Sequence, residues 1–173
     1  WTAIVFMVIS GINFALHYLA WTKKRLFHYF YDSEVKLYLM LLSSTALITY
    51  LTLYFSKNLY EGMVVDSIFQ AVSIGTTTGF LTSNYSNWPL FVPIMLLIAA
   101  FVGACAGSTG GGIKVIRALI LLRQGSSEIT KLIHPNAVVT IKFGKKSLDP
   151  RVSESVWGFF AVYVATFLVI LMI

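Results

Sequence analysis

Two stretches of this sequence have the residue types and spacing for chemistry on small ions. The first is Gly75-Thr76-Thr77-Thr78-Gly79-Phe80, an uncharged strip of hydroxyls and glycine. Removing water from a cation requires replacement oxygens at fixed distances, and successive backbone carbonyls supply them. Gly79 suits that use. Carbonyls turned the same way along a strip need backbone angles, φ > 0 included, that β-branched residues resist. A Thr-rich turn at an outer surface is the plainer alternative. The second stretch is "GACAGSTGGGIKV", Gly103 to Val115, which has the glycines, hydroxyls and lysine of a phosphate loop. Such a loop needs GxxxxGK with Ser or Thr next, after a strand. Here Gly107 and Gly112 have the right separation, but Ile113 intervenes before Lys114 and Val115 follows it. The preceding run, "PLFVPIMLLIAAFV", reads as membrane helix and not as strand. Phosphate binding is therefore set aside.

The elements that must position these stretches belong to a bilayer. Of 173 residues 57% are apolar and 12% charged, about half the usual charge of a soluble domain. A helix needs ~20 largely apolar residues to cross. Four candidates qualify: Trp1 to about Trp21, Leu37 to Ser56, Pro89 to about Ala106, and Ser155 to Ile173, none with Asp, Glu, Lys or Arg. The sequence reads as a window from a longer polytopic chain. Lys23, Lys24, Arg25 and Lys36 sit between the first two spans, and Arg117, Arg123, Lys131, Lys142, Lys145, Lys146 and Arg151 between the last two. The stretch between spans two and three has only Lys57. The positive-inside bias puts the basic connections in the cytoplasm and 57–88 outside. The net charge of +6 is thus mostly topology; no nucleic-acid-reading motif accompanies it, and anionic lipid headgroups are the natural partner. Cys105, the sole cysteine, offers no redox pair here. His28 and His134 lack ligand-spaced partners, and no nucleophile–base set or paired membrane carboxylates point to an enzyme.

Smaller features fit this frame. His17, among aromatics, reads as a packed histidine. Ser33 and Glu34 are placed to start span two. Ser43, Ser44, Thr45, Thr49 and Thr52 mark a packed face. From Ser67 through Ile113 there is no charged residue. Within that stretch "YEGMVVDSIFQAVSI" has helical spacing but is too short to cross. A short helix, the Gly/Thr strip and a polar return describe a re-entrant loop, which is tolerated only beside protein or a wet cavity. Asp66 and Glu61 either cap that helix or form an acidic vestibule that gathers cations. The glycine stretch must break the next span, since each interior Gly costs about 0.8–1 kcal/mol against Ala. Broken helices facing a cavity recur in transporters; close helix packing through Gly, Ala and Ser is the other reading. A lower helix resumes at about Ile113, with Lys114 and Arg117 on one face. Lys114 either repels a permeant cation or anchors that helix at the headgroups.

"FQAVSIGTTTGF" resembles the pore helix and filter strip of the Trk/Ktr/HKT superfamily of potassium and sodium translocating proteins. "GACAGSTGGGIKVIR" resembles its intramembrane loop in the form found in bacterial Trk uptake systems. With "GINFALHY" before them, the likeness covers nearly the whole chain. It implies an all-α integral membrane fold in which each repeat runs membrane helix, pore helix, filter, membrane helix, the second helix broken by the Gly-rich loop. On that register, 1–22 is a membrane helix ending one repeat and 23–36 a cytoplasmic connector. Residues 37–123 are the third of four repeats, with pore helix 60–73, filter 75–80 and broken span 89–123. Residues 124–152 are a cytoplasmic loop, with a hairpin turning at Gly144-Lys145, and 153–173 the next repeat's first helix. Thr76, Thr77, Thr78, Gly79 and Phe80 become the filter, with potassium on the carbonyls of Thr77, Thr78 and Gly79. Gly103, Gly107, Ser108, Thr109, Gly110, Gly111, Gly112 and Lys114 become the gate. The implied activity is potassium uptake across a bacterial cytoplasmic membrane, with K+ as permeant ion and no cofactor. Implied partners are the remaining repeats of the same polypeptide, a second copy in a homodimer, and a cytosolic nucleotide-binding regulatory subunit. A sodium/potassium translocator of the Ktr/HKT type and a non-conducting anchor subunit are the alternatives.

Overall fold

A computed structural model describes residues 1–24, 29, 31–56, 60–85, 88–134, 142–143, 146–147 and 150–172. They fall into two units, Trp1–Val115 and Ile116–Ile173.

In the first unit, apolar sequence forms α1 (Thr2–Ser10), α2 (Phe14–Lys23), α3 (Ser33–Phe55), α4 (Met63–Gly75) and α5 (Phe91–Val102). The expected single helix over 1–22 is two helices bent by 100°. Asn13 causes the restart: its side chain accepts from the Ala15 amide at 2.8 Å and so caps α2. His17 fastens the bend, its ring nitrogens 2.8 Å from the Tyr29 hydroxyl and 3.0 Å from the Ile9 carbonyl. α3 is capped by Asp32, not by Ser33 or Glu34; the Asp32 carboxylate accepts from the Glu34 and Val35 amides at 2.8 and 3.2 Å. Glu34, Tyr38, Leu42, Thr45, Thr49 and Leu53 form its buried stripe. Of the expected hydroxyl face, only Thr45 and Thr49 are buried; Ser43 and Ser44 are exposed and bond carbonyls of their own helix.

α4 occupies 63–75 instead of 60–73, because Gly62 at φ 94° ends the incoming chain and starts the helix. At 13 residues it is ~20 Å long, well short of a ~30 Å hydrocarbon core. Two apolar clusters hold it. One joins Met7, Tyr38, Leu42, Val72, Ala104 and Cys105; the other joins Leu53, Met63, Ala71, Trp88, Val92 and Leu96. The expected half-helix 89–106 is only Phe91–Val102. Pro93 is harmless in its first turn, and Gly103, at φ 74° and ψ −149°, stops it.

α6 (Val115–Ile133) begins at the boundary between the units and continues into the second. It carries helix through Gln124–Ile133, where a loop is expected from the sequence. α7 (Pro150–Met172) starts three residues before the expected 153. Between them, β1 (Lys142–Phe143) pairs antiparallel with β2 (Lys146–Ser147). The expected turn at Gly144-Lys145 lies outside the described residues. The Arg117 guanidinium stands 4.2 Å over the Phe159 ring. α3 and Arg151–Met172 are long and apolar enough to cross a membrane, and α1 with α2 is a third candidate if the bent pair is one span.

Candidate functional site

The Thr/Gly strip leaves the C-terminal end of α4 and is tied back to it. The amides of Thr78 and Gly79 both donate to the Ser73 carbonyl, at 2.8 and 3.3 Å, and the Thr77 amide to Ile74 at 3.0 Å. In a trans peptide the carbonyl of the preceding residue points opposite to the N–H. The carbonyls of Thr76, Thr77 and Thr78 are therefore turned away from α4. Among the described residues, no backbone amide bonds to any of the three. The sign of φ alternates: −86° at Thr76, +59° at Thr77, negative again at Thr78, +83° at Gly79. Such alternation swings successive peptide planes to a common side. For Thr77, a β-branched residue, the left-handed region is strained. Phe80 departs from expectation: its carbonyl accepts from the Ser73 hydroxyl at 2.6 Å, so it faces back toward α4. Gln70, fully buried, donates to the Ser83 carbonyl at 2.9 Å and fixes the return of the chain. Sequence reasoning passed over Gln70 and Ser73. Their signal was a polar residue recurring on the otherwise apolar α4.

The glycine loop lies against this strip. Its neck is stitched by three backbone bonds of 3.0 Å, Ile113 to Phe101, Lys114 to Val102 and Val115 to Ala104. Gly103 and Gly112, both at positive φ, cross so closely that a Cβ on Gly112 would lie 2.7 Å from the Gly103 Cα. A Cβ on Gly110 would come within 2.9 Å of the Thr76 carbonyl oxygen. The Gly111 amide donates to the Thr77 hydroxyl at 2.5 Å. Expected filter and expected gate thus meet at Thr76–Thr77 and Gly110–Gly111.

The other side of the loop rests on the bend between α1 and α2. The Cys105 amide donates to the Gly11 carbonyl at 3.0 Å, the Phe14 amide to the Gly107 carbonyl at 3.1 Å, and the Thr109 hydroxyl to the Ser10 carbonyl at 3.3 Å. The buried Glu34 carboxylate accepts from the Ala106 amide at 2.6 Å. Lys114 is not on the face of α6 with Arg117. It precedes that helix at φ 80°, and its ammonium donates to the carbonyls of Ser108, at 3.4 Å, and Gly110. The ammonium thereby staples the loop to the residue that leaves it.

The family described as TrkH, cation transport protein, matches residues 1–173. This chain belongs to that family. Its relatives include the "Trk system potassium uptake protein TrkH" of Halomonas elongata, 44% identical over 96% of this chain and 35% of the relative. The protein of the same name from Escherichia coli K12 is 44% identical over 95% of this chain and 35% of its own. The crystal structure of the potassium transporter TrkH from Vibrio parahaemolyticus matches with a TM-score of 0.91 and 42% identity, covering 96% of this chain and 36% of that one. The chain therefore spans about a third of the length of these relatives. The TrkH family is one of cation transporters, not enzymes, and the chain is part of a multi-pass membrane protein. In this chain the "GINFALHY" stretch, Gly11–Tyr18, holds the bend on which the glycine loop rests, a role its sequence does not announce.

Proposed function

We propose that this chain is the third pore repeat, with flanking helices, of a Trk-type potassium uptake subunit in a bacterial cytoplasmic membrane. α4 is its pore helix, Thr76–Gly79 its contribution to a carbonyl-lined filter, and Gly103–Gly112 with Lys114 its gate. One observation carries the reading: Thr76, Thr77 and Thr78 present three consecutive carbonyls away from α4, and the glycine loop closes against the first of them. Carbonyl dipoles without formal charge can replace part of a potassium hydration shell, and the remaining repeats of the polypeptide would supply the other strips. The C-terminal end of α4, the negative end of its dipole, lies where the strip begins. The resemblance to the superfamily extends the proposal to a homodimer that docks a cytosolic nucleotide-binding ring. Light scattering of the purified protein tests the first part, and co-purification with such a ring the second.

The test of conduction is potassium flux in proteoliposomes holding the full-length protein. Wild type should conduct, and Gly79→Asp, which puts a carboxylate on the strip at a left-handed residue, should abolish flux. Flux indifferent to Gly79→Asp would overturn the filter assignment, and no flux at all would favour an anchor. Replacing K+ by Na+ separates the potassium reading from a sodium/potassium translocator.

A further inference from the structure

The hydroxyl of Thr77 occupies a position that neither filter nor gate accounts for alone. It accepts from the Gly111 amide at 2.5 Å and donates to the Thr76 carbonyl at 2.7 Å. One side-chain oxygen thus connects the loop to the carbonyl of the strip nearest the loop. The backbone is held at φ +59° to place it there, a conformation unfavourable for a β-branched residue. No amide of the loop other than Gly111 bonds to the strip among the described residues.

We infer that loop closure and cation occupancy of the innermost position compete for the same oxygens. With the loop closed, the Thr77 hydroxyl spends its acceptor site on Gly111, its proton covers the Thr76 carbonyl, and Gly110 packs against that carbonyl. A cation there needs those lone pairs and that space. Once the loop leaves, the hydroxyl can turn its oxygen to the ion and uncover the Thr76 carbonyl. The permeant ion then opens its own gate by mass action: the open-to-closed ratio rises with concentration as 1 + [K+]/Kd. Thr77 is the latch that makes the two states exclusive. This rests on the proposed filter and gate.

The experiment measures the open fraction of the full-length protein in planar bilayers across a potassium series, for wild type, Thr77→Ala and Thr77→Ser. Loss of one hydrogen bond should raise the open-to-closed ratio of Thr77→Ala about 2- to 10-fold at the lowest concentration and flatten its rise with potassium. Thr77→Ser, which keeps the hydroxyl, should restore most of both. A conducting Thr77→Ala with the open fraction and potassium dependence of wild type overturns the latch and leaves the filter reading standing. A wild type that does not conduct removes that reading instead. Should Thr77→Ala fail to insert, hydrogen exchange of wild type decides: the peptide containing the Gly111 amide should exchange faster in KCl than in N-methylglucamine chloride. Equal exchange in the two salts also overturns the latch.

Discussion

Gly103→Ala probes the neck of the glycine loop, where backbone conformation and space both exclude a side chain. Gly103 sits at φ 74° and ψ −149°, a region close to glycine-only, so alanine there costs about 1–3 kcal/mol. Its Cβ would also fall 2.9 Å from the Gly111 carbonyl carbon and the Gly112 Cα, and nearer still to the Gly111 oxygen. These are backbone atoms of the opposing strand of the neck and cannot rotate aside. Yielding means undoing the three bonds that stitch 101–104 to 113–115, at about 1 kcal/mol each. The sum is on the order of 4–6 kcal/mol against the closed loop. At 1.4 kcal/mol per decade that is roughly a thousandfold or more in the closed-to-open ratio. The assay is potassium retention in preloaded proteoliposomes with no activating ligand, on protein that is monodisperse after purification. Gly103→Ala should leak its gradient. Gly125→Ala should not: it has a helical position, no positive φ and no atom within 4 Å of the added Cβ. A Gly103→Ala protein that holds its gradient like wild type would refute the assignment of this neck to the closed state.

Other outcomes follow from the same contacts. Glu34→Ala removes the buried acceptor of the Ala106 amide and should favour the open loop by about 1–3 kcal/mol, while Glu34→Gln, which keeps an oxygen, should do less; resting flux separates them. Lys114→Gln loses the ammonium that bridges the Ser108 and Gly110 carbonyls, so single-channel recordings should show a higher open fraction without new rectification. A change in rectification alone would restore the picture of a free repelling charge. Outside the spans, the Tyr60 phenol is held above its ordinary pKa of 10.0 by burial first and by its bond to Asp66 second. A raised phenol pKa means the stabilisation is present below pH 10 and is lost as pH rises through the folded value. Ultraviolet titration should therefore find a lower Tyr60 pKa in Asp66→Asn.

Much of the site was legible one residue at a time. The uncharged run Ser67–Ile113 pointed to a short apolar helix followed by a Gly/Thr strip, and α4, which ends at Gly75 and leads into Thr76–Gly79, has that outline. The glycines at 103, 107 and 112 required a break, and all three sit at positive φ. The first span misled. Its apolar pattern is continuous across Gly11-Ile12-Asn13, and hydropathy does not register that Asn13 caps a new helix. Asp32 caps α3 because it stands just before the first helical residue, where its carboxylate reaches the Glu34 and Val35 amides, while the Glu34 carboxylate is engaged by the Ala106 amide.

Sequence by itself determined which segments avoid water, which carry positive charge, and where side chains are too small or too branched for helix. Those are properties of each residue's own solvation and steric freedom, so they survive in a linear string. Tertiary structure decided what meets what: the bend on Gly107, Glu34 on Ala106, and Thr77 on Gly111. It also put three of the described residues that carry side chains, Lys24, Thr77 and Lys114, at positive φ. Nearly all of these contacts engage peptide groups, which every residue carries alike. Only the folded path of the chain selects among identical donors and acceptors.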